Sequence, residues 1–192
     1  MTRENDNNDL AQALKVLKSG GIILYPTDTV WGIGCDATNA DAVRRIYALK
    51  QRDDKKALIT LVSGLGMLER TVSGIAEVAY QLIEYADRPL TIVYDKGIGV
   101  CREMLPADGT LAVRVVSGNF AARLCGALRH PLVSTSANIS GRSTPATYGE
   151  ISREILDGVD YVCTTGRNDT VPHRSSTIIR LTESGEYTLL RK

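Results

Sequence analysis

Apolar residues recur at helical spacing at Leu10, Ala13, Leu14 and Leu17, and Gly20-Gly21 stops that run. The pattern then turns to short apolar stretches of strand length. GIILY (21–25) is closed by Pro26, and ALITLV (57–62), LTIVY (90–94), TLAVRVV (110–116), PLVS (131–134) and DYVCT (160–164) follow along the chain. Helical spacing returns between them. Val43, Ile46, Tyr47 and Leu49 mark one helix, with Asn39 or Asp41 as its cap. Leu65 and Leu68 mark a short helix, and Ile75, Val78, Ala79, Leu82 and Ile83 a longer one. Phe120, Leu124 and Leu128 give another, and Ile151, Ile155 and Leu156 the last. STIIRL (176–181) and EYTLLRK (186–192) read as a hairpin around Ser184-Gly185. Interleaved strands and helices predict an α/β or mixed α+β domain. It is expected to cover residues 9–192, behind a flexible N-terminus at residues 1–8.

Composition narrows the class. The 192 residues are 43% hydrophobic but only 5% aromatic, so Val, Ile, Leu and Ala must fill the core. A net charge of +1 argues against a protein that blankets nucleic acid, although a local basic cleft fits it. Cysteines 35, 101, 125 and 163 form no C-x-x-C pair, and His130 and His173 are not spaced to join them, so no protein metal site is expected. The thiols read as reduced and mostly buried. The polar start MTRENDNND and the lack of a long apolar run predict no membrane span and a cytoplasmic location.

Four places interrupt apolar strands with polar groups. In YPTDTVWGIGCDA (25–37), Thr27, Asp28 and Thr29 follow a strand, and Gly32 and Gly34 allow close backbone approach; a turn with Trp31 as a core plug reads equally from these residues. In LKQRDDKKA (49–57), Lys50, Arg52, Lys55 and Lys56 suit a polyphosphate, or else a solvated helix end paired with Asp53-Asp54. In TLAVRVV, Arg114 and Thr110 share a strand face; a mid-strand arginine needs a carboxylate or phosphate, or a buried salt bridge. In PLVSTSANISG (131–141), an extended chain points Ser134, Ser136 and Asn138 one way, and Ser175, Ser176 and Thr177 repeat the theme before STIIRL. No Ser-His-Asp spacing, paired carboxylates or metal box accompanies them. The set suits orienting an anionic small molecule.

From about Gly20 to Arg191 the chain resembles the YrdC-like threonylcarbamoyl-AMP synthases, through YPTDTVWGIG, K-Q-R with Lys56, LAVRV, STSANISG, the SST before a strand, and Arg191. The resemblance implies a twisted, largely mixed sheet with flanking helices and an open, positively lined concave face. It implies condensation of L-threonine, bicarbonate and ATP to threonylcarbamoyl-AMP and pyrophosphate. The threonylcarbamoyl group then goes to the adenosine beside the anticodon of tRNA. Mg2+ is expected with the ATP. By the same resemblance, Lys50 and Arg52 are catalytic. Thr29, Arg114, Ser134 and Ser176 bind threonine or its carbamate. Arg52, Lys56, Thr110, Ser136, Asn138, Thr144 and Arg191 bind the nucleotide. tRNA or a tRNA-modifying transferase is the candidate partner, and the chain is a monomer or homodimer. Trp31 stands where Tyr or Phe is usual, Ala57 replaces a common Pro, and Leu61 a common threonine-contacting His. Two other readings stand beside this one: a YciO-like paralogue with altered or weak activity, and a binding module for double-stranded RNA or tRNA.

Overall fold

The computed structural model describes residues 3–51 and 58–192. Helix α1 (Arg3–Lys18) begins well before its apolar stripe, so residues 3–8, expected as a flexible arm, extend it backwards. It ends at Gly20, whose φ of +79° lets Gly21 N–H donate back to the Val16 carbonyl at 2.9 Å. The chain continues through β1 (Ile23–Tyr25), β2 (Gly32–Gly34), α2 (Ala40–Leu49), β3 (Ile59–Val62) and α3 (Leu65–Thr71). Then come β4 (Val72–Ser73), α4 (Glu77–Glu84), β5 (Leu90–Tyr94), β6 (Lys96–Gly97) and β7 (Leu111–Val115). The last elements are α5 (Phe120–Leu128), β8 (Leu132–Ser136), α6 (Arg153–Gly158), β9 (Tyr161–Val162), β10 (Thr177–Leu181) and β11 (Tyr187–Arg191).

Asn39 caps α2 by accepting from Ala42 N–H at 3.1 Å, and Asn119 caps α5 by accepting from Ala122 N–H at 2.8 Å. The stripe Ala42, Val43, Ile46 and Tyr47 turns α2 onto the core, as the periodicity predicts.

The strands form one nine-stranded mixed sheet in the order β11-β10-β5-β7-β3-β8-β2-β1-β9, with β4 and β6 paired separately. Parallel pairs (β10 with β5, β7 with β3, β1 with β9) are interspersed with antiparallel ones, three of which run in succession from β3 through β8 and β2 to β1. Strand β2 is absent from the apolar reading, because a Gly-Ile-Gly tripeptide carries almost no strand pattern. It forms because its neighbours supply the ladder: β1 on one side and β8 on the other. Gly34 is required there. A Cβ at this position would stand 2.4 Å from the Val133 carbonyl oxygen and 2.6 Å from the Tyr25 ring. That close approach serves packing and not a ligand. Among the described residues, no helix is long and apolar enough to cross a membrane.

Candidate active site

The polar interruptions converge on one cleft over the sheet, with about 670 Å³ of open space. Thr29, Gly32, Arg114, Ser134, Ser136, Thr144, Ser176 and Arg191 line it, so seven of the expected binding residues meet there. The sheet order explains the meeting. β7, β3, β8 and β2 are consecutive neighbours, and the register sets Arg114 opposite Leu61, Ser134 opposite Ile59 and Ser136 opposite Gly32. Leu61, fully buried, lies in the row between Arg114 and Leu132, where it fills the sheet with hydrocarbon.

Arg114 is the central cation. It is 3% exposed, and its Nη2 lies 2.9 Å from Asp28 Oδ1 and 3.4 Å from Thr29 Oγ1. The Asp28 contact is an ion pair off hydrogen-bond geometry, and Arg114 Nε has no hydrogen-bond partner among the described residues. The buried salt bridge is therefore present, and the same side chain lines the cleft. One carboxylate uses only part of a guanidinium's five donors, so capacity for a second anion remains.

Across the cleft, Arg191 Nε and Nη2 donate to the Ser176 carbonyl at 3.1 and 2.9 Å. Nη2 also donates to Ser176 Oγ at 3.2 Å, and that hydroxyl lies 2.8 Å from Thr91 Oγ1 on β5. Partial burial, and then the charge of Arg114, push the Arg191 guanidinium below its ordinary pKa. Two cations that repel each other across a hydroxyl-lined cleft favour an anion between them.

Trp31 contributes an aromatic ring to the cleft lining. Trp31 packs against Tyr148, ring centroids 5.0 Å apart and tilted by 51°, and Arg167 lies over the Tyr148 ring at 5.1 Å. Trp31 is thus a plug that also lines the cleft.

Three expected residues stand elsewhere. Lys50 is buried, and its ammonium donates to the carbonyls of Ser136 and of Asn138, the latter at 2.6 Å. Its own carbonyl accepts from Ser140 N–H at 2.8 Å. The end of α2 therefore staples the STSANIS segment in place through Lys50. Asn138 lies past the end of β8, where Asn138 N–H turns back to the Ser136 carbonyl at 2.9 Å, so the strand alternation with Ser136 is broken. Its Nδ2 donates to the carbonyls of Ile139 and Arg142, and its buried Oδ1 has no partner among the described residues. Thr110 sits before β7 and donates to Asp108 Oδ1 at 2.8 Å, outside the cleft lining. Arg52 and Lys56 lie outside the described residues, as do Lys55 and Ala57.

Sequence reading passed over Asp28 as the partner of Arg114, along with the cleft-lining Thr135, Ile59 and Ile178. The only signal for Asp28 was its place between two threonines, Thr27 and the cleft-lining Thr29, whose Oγ atoms are 2.9 Å apart. None of the four cysteines is an activated nucleophile: burial raises each thiol, Cys125 to about 12.

A family model named Sua5_yciO_yrdC and described as "Telomere recombination" matches residues 15–192. A protein of Halorhodospira halophila named threonylcarbamoyl-AMP synthase is 40% identical over 145 residues, covering 75% of this chain and 76% of that protein. The solved structure of P. abyssi Sua5 complexed with L-threonine superposes with a TM-score of 0.80 at 28% identity, over 90% of this chain. This chain spans only 50% of that one. E. coli YciO superposes with a TM-score of 0.82 at 26% identity, over 97% of this chain and 89% of that one.

Proposed function

This chain belongs to the Sua5/YciO/YrdC family, and from that premise we propose that it makes threonylcarbamoyl-AMP from L-threonine, bicarbonate and ATP. The observation that carries the reading is Arg114, buried in an open cleft with an Nε that has no partner among the described residues and a second arginine facing it. The threonine-bound relative and the synthase name of the H. halophila protein support the same substrates.

The chemistry needs no protein nucleophile. Threonine's amine takes up bicarbonate-derived carbon dioxide as a carbamate. A carbamate oxygen forms a bond to the α-phosphorus of ATP, and the bond to the bridging oxygen of pyrophosphate breaks. Arg114 holds the threonine carboxylate through the donors Asp28 leaves free. Thr29, Ser134 and Ser176 orient the amino acid and carbamate. Ser136, Thr144 and Arg191 hold the nucleotide, with Arg52 and Lys56 on its phosphates. Catalysis is then alignment of two anions and offset of their repulsion. Mg2+ enters on the ATP as part of the substrate, bridging charge on its phosphates. The product, a reactive mixed anhydride, passes to a transferase that modifies tRNA.

The test is pyrophosphate release from MgATP, with and without bicarbonate and L-threonine, in wild type and Arg114→Ala. The expected result is release that needs both co-substrates and collapses in the variant. Release indifferent to threonine, or no release, overturns the reading.

A further inference from the structure

At the edge of the sheet beyond the cleft, β11 has neighbours on one side only. All its residues are exposed, including Tyr187 at 69%, Leu189 at 55% and Leu190 at 56%. Soluble proteins usually blunt such an edge, since it offers unpaired backbone groups to another strand. Here a bulge blunts only its end, at the Ile178–Ile179 register shift.

The register says which backbone groups are open. Thr182 N–H donates to the Glu186 carbonyl at 2.9 Å across the hairpin. From there the pairs run Leu181 with Tyr187, Arg180 with Thr188 and Ile179 with Leu189. Antiparallel pairs alternate between hydrogen-bonded and non-hydrogen-bonded, so Tyr187 and Leu189 turn their N–H and C=O groups to the open edge.

We infer that β11 pairs with β11 of a second copy of this chain, antiparallel about a two-fold axis at Thr188. That register sets Tyr187 of each copy against Leu189 of the other, joining the outward backbone groups of both. Charge selects the direction. The strand is flanked by an acidic residue at its start, Glu186, and a basic one at its end, Lys192, while Arg191 is turned into the cleft against Ser176. Antiparallel pairing brings each acidic end beside the other's basic end, whereas parallel pairing sets like charges together.

A few backbone hydrogen bonds alone make a weak contact, and α4 supplies apolar surface beside them. Val78, Leu82 and Tyr85 recur one and two turns apart on α4 and the residue that caps it, and Tyr85 is 78% exposed. Together with Leu90 and Thr177 they line a groove of about 760 Å³ of open space. The β10–β11 turn adjoins this helix: a Cβ on Gly185 would stand 3.8 Å from Val78 Cγ1. An isologous contact places the same surfaces of both copies together.

Sedimentation velocity over about a hundredfold range of protein concentration tests the pairing. Wild type is expected to shift from monomer mass toward twice that mass as concentration rises. Leu189→Lys and Glu186→Lys should each hold the protein at monomer mass, while keeping the wild-type circular dichroism. The double variant Glu186→Lys with Lys192→Glu should return the dimer, because it exchanges the two ends. A monomer at every concentration, a dimer untouched by Leu189→Lys, or failure of the double variant to restore pairing overturns the inference.

Discussion

Arg114 on β7, which lines the cleft, and Asp28 in the loop before β2 form an ion pair of 2.9 Å, and Arg114 Nε has no hydrogen-bond partner among the described residues. The carboxylate holds the guanidinium in place without using all its donors. That arrangement lets a buried cation wait for a second anion at little reorganisation cost.

Arg114→Lys should keep the charge and lose the planar fork. The KM for threonine is expected to rise about tenfold or more, with a smaller fall in kcat, since each well-made charged hydrogen bond contributes about 1.5–3 kcal/mol. Steady-state pyrophosphate release at varied threonine checks this. Equal KM values in variant and wild type would remove Arg114 from the threonine subsite.

Lys50→Met should act on stability as well as turnover. It leaves the carbonyls of Ser136 and Asn138 without their buried donor. An orphaned buried acceptor costs about 1–3 kcal/mol, so urea unfolding should show a loss of about 2–5 kcal/mol. A variant as stable as wild type would show that another group holds this segment.

Asp9 predicts a pH dependence. Its buried carboxylate accepts from Thr164 N–H, from Thr165 N–H at 2.7 Å and from the Tyr161 hydroxyl at 2.6 Å. Burial raises its pKa, but the hydrogen bonds from Thr165, Tyr161 and Thr164 together bring it below the ordinary 3.8. A group depressed in the folded state contributes stability above its unfolded pKa and loses it as pH falls through the folded one. Wild-type stability should therefore drop below about pH 4. Asp9→Asn should be less stable at neutral pH and lose part of that acid-side slope. Parallel stability–pH curves for the two proteins would contradict the assignment.

Gly34→Ala should destabilise by about 1–3 kcal/mol or more, because the Val133 carbonyl and the Tyr25 ring leave no room for a methyl group. Gly32→Ala meets its nearest atoms only at 3.2 Å and should cost less. Thermal unfolding of the two variants side by side gives the comparison. A reversed order would mean that β2 shifts freely.

Much of this protein is legible one segment at a time. Helix and strand patterns are local, so α2, β5, α5 and the β10–β11 hairpin fall where periodicity and caps place them. Strand alternation also put Ser134 with Ser136 on one face, and flagged Arg114 as a cation needing an anion. What depends on neighbours was not legible. The Gly-Ile-Gly strand exists through β1 and β8. Asn138 leaves the face of Ser136 because the chain turns back on itself after β8. Lys50, read as a surface or phosphate-binding cation, is buried because two carbonyls from a segment more than 80 residues away satisfy it. The sequence by itself determined the elements, their faces and the stock of hydroxyls and guanidiniums. Only the tertiary structure decided which of them meet. Thr29 and Arg114 stand 85 residues apart in the chain and 3.4 Å apart in the fold. The strand order that joins them comes from packing the whole sheet, a global balance that no local pattern encodes.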